Sequence, residues 1–125
     1  MKPILLSDWV TVRGTYAALA YVGAVATVTQ GETSWADVGD YEDLVIYLDV
    51  KEVTGTVTLQ LQTSPSRDDV SFLAMVPPVA LTTGTRVMLA LAKYAFVPVS
   101  RYVRWQLVGL GTPYDATFRV FIGAS

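Results

Sequence analysis

The chain has 125 residues, the size of one domain with a single core. It contains neither cysteine nor histidine, which excludes disulfides, thiolate metal sites, Ser-His or Cys-His nucleophiles and the commonest general base. Only 16% of residues are charged while 52% are apolar, and the formal net charge is -2.

Against a typical charged share of about 25%, so few charges leave much of a small domain's surface uncovered, and part of that surface is expected to lie against other subunits. A net negative chain with scattered basic residues offers no field for phosphates, so no nucleic-acid partner is expected. Without histidine or cysteine an enzyme is not expected. The lack of cysteine also fits assembly in a reducing cytosol.

In chain order, Trp9, Val10 and Val12 suggest a short strand or an extended arm. Val22 to Thr29 reads as a strand, with a short helix at Tyr16 to Tyr21 as an alternative. Gly14 to Gly31 carries no charge, yet threonines, Gln30 and many alanines dilute it below the apolarity of a membrane span. Asp8 and Arg13 interrupt any signal peptide after Lys2. No membrane partner is expected. Residues 1–31 are therefore read as an N-terminal extended arm or edge-strand region, and 32–125 as the main domain.

Glu32 to Val38, with Trp35 at its centre, suggests another short strand. The clearest signal runs from Asp43 to Thr63, where Leu44, Ile46, Leu48 and Val50 alternate with Asp43, Val45, Tyr47 and Asp49. After a short connection, Val57, Leu59 and Leu61 alternate with Thr56, Thr58, Gln60 and Gln62, so the pair is expected to form an antiparallel hairpin. Ser64 to Asp69 is a polar loop. Val70, Phe72, Ala74 and Val76 resume the two-residue period, and Val79 to Thr82 is a short extended piece. Thr85 to Ala92 is read as a strand, with helix as the competitor from Met88 to Tyr94.

The last two strands carry Val103, Trp105 and Leu107, then Ala116, Phe118, Val120 and Ile122, on their core faces. About seven to nine short strands with no convincing helix point to an all-β chain, an antiparallel β-sandwich or jelly roll.

Asp37, Asp40, Glu42 and Asp43 form an oxygen-rich cluster of the kind hard cations use, but their spacing does not match a known calcium loop. Turn residues are the simpler account, and neither a metal nor another cofactor is assigned. Trp35, Trp105, Tyr41 and Tyr47 are the aromatics that could line a sugar groove, although Trp105 lies on the core side of its strand. Val45, Tyr47 and Phe121 lie on outward positions of well-patterned strands and are candidates for an interface. Arg101, Arg104 and Arg119 are added, because pairing of the last two strands would gather them into one patch.

The run Asp40-Tyr41-Glu42-Asp43-Leu44-Val45-Ile46-Tyr47-Leu48-Asp49-Val50, then Thr56 to Pro65 and Arg101-Tyr102-Val103-Arg104-Trp105, resembles small β-sandwich structural proteins of tailed bacteriophages. Those proteins decorate the capsid or act as accessory virion components. The resemblance covers Glu32 to Ser125. It implies a non-enzymatic virion protein assembled in the host cytoplasm, a homo-oligomer with a trimer as first choice, and a major capsid or other virion protein as partner. Arg-Tyr-Val-Arg before a core aromatic also resembles discoidin-like jelly rolls, which keeps a carbohydrate-binding module, with or without calcium, as the alternative.

Overall fold

A period of two puts alternate side chains on opposite faces of an extended chain, and burial of one face then selects the strand. The computed structural model describes residues 2–14, 27–39, 41, 43–90, 100–109 and 113–125. Among these lie ten strands: β1 (Lys2–Gly14), β2 (Thr27–Thr29), β3 (Ala36–Asp37), β4 (Leu44–Thr54), β5 (Val57–Ser64), β6 (Leu73–Ala74), β7 (Val79–Ala80), β8 (Arg86–Ala90), β9 (Tyr102–Gly109) and β10 (Tyr114–Ala124). They build two antiparallel sheets. The first has the order β1-β10-β4-β8 and the second β2-β9-β5-β6, with β3 also on β9 and β7 on β5. The fold is an all-β sandwich, as the alternation predicts.

The expected hairpin from Asp43 to Thr63 does not form. β4 lies in the first sheet between β10 and β8, and β5 in the second between β9 and β6. Alternation reports that a strand buries one face; it says nothing about whether the next strand lies beside it or across from it. Here Leu44, Ile46, Leu48 and Val50 share one core with Val57, Leu59 and Leu61 from the opposite sheet. The chain crosses through Gly55, whose φ is +83. A Cβ there would also lie 2.5 Å from the Pro113 carbonyl oxygen, so both backbone angle and space ask for glycine. β9 and β10 likewise belong to different sheets.

Other expectations change for local reasons. In place of one strand over Glu32 to Val38 there is a 3-10 helix at Glu32–Ser34 followed by the two-residue β3. The period expected from Val70 fails because the Asp68 carboxylate accepts from Val70 N–H and opens a 3-10 helix at Asp69–Ser71. Val70 is left 84% exposed while Phe72, Met75 and Val76 are buried. β1 is far longer than a short strand near Trp9, because it pairs with β10 from Lys2↔Ala124 to Gly14↔Tyr114. Of the strand read over Val22 to Thr29, Thr27–Thr29 forms β2, and residues 22–26 lie outside the described residues. The helix alternative at Tyr16 to Tyr21, and the part of the Met88 to Tyr94 alternative beyond Ala90, lie outside the described residues.

β1 carries two register shifts, between Leu5 and Ser7 and between Ser7 and Val10, the irregularities that commonly blunt an edge strand. Between them the two sheets are tied by Gln30. Its side-chain amide donates to the carbonyls of Leu6 (2.8 Å) and Ser34 (3.0 Å), and its oxygen accepts from Trp105 N–H (3.1 Å). The Trp35 indole in turn donates to the Gln30 carbonyl at 2.8 Å. A buried amide with its donors and acceptor satisfied in this way fixes the edge of one sheet against the centre of the other. No helix among the described residues is long and apolar enough to cross a membrane.

Candidate interaction face

The core-facing set of the first sheet leaves the alternate set pointing outward, and the register aligns it in rows. One row crosses all four strands as Leu5, Phe121, Tyr47 and Met88. Leu5 is 50% and Met88 63% exposed, and Tyr47 and Phe121 are partly exposed. The next row toward the chain ends is Pro3, Gly123 and Val45. Because Gly123 has no side chain, Pro3, Tyr47 and Phe121 rim an apolar depression of about 320 Å³ above it.

On the other side runs an ionic row. Asp49 accepts from Arg86 Nε at 2.5 Å and from Arg119 Nε at 2.8 Å, one arginine on each carboxylate oxygen. The Arg119 guanidinium lies 4.8 Å from the Trp9 ring centroid and 4.6 Å from that of Phe121, so the row reads aromatic, plus, minus, plus from β1 to β8. Burial pushes the Asp49 carboxyl up, and the hydrogen bonds from Arg119 and Arg86 more than offset it, holding the group below the ordinary carboxylate value.

Four of the six interface candidates, Val45, Tyr47, Arg119 and Phe121, therefore share this face. Arg101 and Arg104 do not. Because β9 and β10 belong to different sheets, the single arginine patch expected from their pairing is absent, and Arg104 and Arg119 lie on the outer faces of opposite sheets. Arg104 is only 4% exposed. It donates to Gln62 (2.8 Å) and to the Asp69 carboxylate and stacks on Phe72 and Trp35, which fold over the second sheet. Arg101 donates twice to the Asp37 carboxylate, each at 3.2 Å.

Asp37 thus accepts from Gly39 N–H and from Arg101, which in that order hold its carboxyl below the usual range. The Asp43 backbone pairs with Ser125, and Asp40 and Glu42 lie outside the described residues. Among the described residues no group of three or more potential metal ligands comes together. Of the four aromatics considered for a sugar groove, Trp35 and Trp105 are buried, which removes them as an open platform.

Pro3, Leu5, Trp9, Asp49, Arg86 and Met88 complete the face without having been singled out in the sequence. Met88 carried a signal, since it falls on the opposite parity to Val87. Leu5 and Trp9 carried none, because the register shifts of β1 decide which way they point.

No family model and no curated protein sequence matches the chain. Solved structures do. The viral particle of infectious bursal disease virus matches with TM-score 0.52 and 15% identity, over 97% of this chain and 30% of that one. Particles of a mutant VP2 protein of the same virus match with TM-score 0.52, 13% identity and the same coverage. The VP2 subviral particle gives 0.51 and 14%, over 97% of this chain and 32% of that one. The likeness is one of fold. This chain spans about a third of the length of those viral chains, and at such identities the shared sandwich says nothing of individual residues.

Proposed function

We propose that this chain is a non-enzymatic virion structural protein, a capsid decoration protein of a tailed bacteriophage that assembles as a homo-oligomer on the capsid surface. The observation that carries the reading is the outer face of the first sheet, where Leu5, Phe121, Tyr47 and Met88 form an unbroken apolar row. A small monomer rarely leaves such a row to water, and apolar surface of this kind marks contact with another protein. The low charged share supports the same conclusion from composition, and the fold likeness to chains of a viral particle supports a virion setting. Val45, Tyr47, Arg119 and Phe121 are the contact residues assigned from the original candidates.

The test is co-sedimentation of the purified chain with capsids of the encoding virus assembled without it, together with light scattering of the chain alone. Capsid-bound protein and a mass above one chain are expected. A clean monomer that stays in the supernatant overturns the proposal.

A further inference from the structure

The outer face of the first sheet is complementary to itself, and we propose that it pairs face to face with a second copy of this chain about a twofold axis running parallel to the strands between β10 and β4. The inference deepens the homo-oligomer reading above and rests on it for self-association alone.

Such an axis lays β10 on the partner's β4 and β1 on the partner's β8, keeping each row at its own height. Phe121 then meets Tyr47 of the partner subunit, and Leu5 meets the partner's Met88, so the apolar row is covered throughout. In the ionic row Arg119 comes over the partner's Asp49, already held by arginines of its own chain, so like charges are kept apart, and the exposed Arg86 guanidinium meets the partner's Trp9, a cation beside an indole. Both couplings occur twice by symmetry. In the third row the partner's Val45 comes over Gly123, where the depression rimmed by Pro3, Tyr47 and Phe121 lies open.

The charge pattern selects this axis over the other one a face-to-face pair can use. An axis perpendicular to the strands through the Tyr47 row would place Arg119 and Asp49 over the partner's Gly123 and Val45, burying charges against an apolar row. The strand-parallel axis sets opposite charges together and apolar groups together. The size is adequate as well. Strands β1, β4 and β10 of 11 to 13 residues and β8 of five, at ~4.8 Å spacing, give a plan area of roughly 650 Å², somewhat below the ~800 Å² that each partner contributes to a standard interface. A pair of this kind closes on two copies, where the phage resemblance implies three.

Two substitutions test the geometry without disturbing the single chain, since both sites are exposed. Leu5→Lys and Met88→Glu each place a charge against an apolar partner, and each should weaken self-association at least about tenfold. Mixed in equal amounts, the two variants should recover a dimer, because the introduced ammonium and carboxylate face each other only under this axis. Light scattering on the chain, on each variant and on the mixture gives the masses. A wild-type monomer at about 100 μM, a trimer mass, variants that stay dimeric, or a mixture that stays monomeric each overturns the pairing. Capsid co-sedimentation is a separate readout: a dimer that ignores capsids removes the decoration role and leaves the pairing intact.

Discussion

Asp49 is a carboxylate on the outward side of β4, yet it is nearly buried, an uncommon position for an aspartate unless it is paired. Its two arginines lower its pKa below the ordinary 3.8, so the folded chain holds the proton less tightly than the unfolded one. The contribution to stability is complete above about 3.8 and is lost as the pH falls below it through the lower folded value. Asp49→Asn should cost about 1–3 kcal/mol at neutral pH and should flatten the fall in stability below the ordinary value. Urea midpoints across that range, taken in the Met88→Glu background so that self-association does not enter, check it. Equal slopes with and without the carboxylate would refute the assignment. Arg104 shows the limit of parity at this scale. Its alternation marks it as outward, correctly, but outward is not exposed when the segments carrying Trp35 and Phe72 fold back over the sheet.

At the scale of elements the crossing from β4 to β5 depends on Gly55. Gly55→Ala meets both a left-handed backbone and the Pro113 carbonyl, whereas Gly84→Ala, at φ +73, meets no atom within 4 Å. The first should cost about 1–3 kcal/mol and the second no more than about 1, as read from denaturation midpoints. Equal losses would show that the carbonyl contact contributes nothing. The same crossing marks how far the sequence carried. Strand positions and core faces of β4, β5, β9 and β10 were legible because burial imposes a period of two on every such strand. The partners were not, since a neighbour beside and a neighbour across leave the same alternation. Val45, Tyr47 and Phe121 were legible as apolar residues on the wrong parity. Trp9 and Leu5 were hidden by two register shifts, and Gln30 by the lack of any pattern that announces a buried amide.

In the whole molecule the proposed self-association would account for the low charged share and the apolar face together, and the co-sedimentation and mixed-variant measurements described above examine it at the level of the assembled particle and of the pair. The two sheets also differ in what they offer outside. The second is capped at one end by the cluster of Trp35, Phe72 and Tyr102, with Arg104 against Phe72, while among the described residues no such cap lies over the Leu5 and Met88 ends of the first sheet's apolar row.

The crossings at Gly55 and between β9 and β10 bear on time as well as shape. Of the four long strands that flank them only β5 pairs with the next strand in sequence, and that is the two-residue β6; the long ladders join β1 to β10, β10 to β4 and β5 to β9. Each ladder can start only after a long stretch of chain has been brought round, and that loss of freedom precedes any gain from burial. Refolding of a monomeric variant in stopped-flow fluorescence should accordingly take milliseconds to seconds, and a microsecond relaxation would contradict the order of strands. Until β10 docks, β1 and β4 both wait with open edges, so the nascent chain is most prone to mispairing over the interval before its last strand arrives.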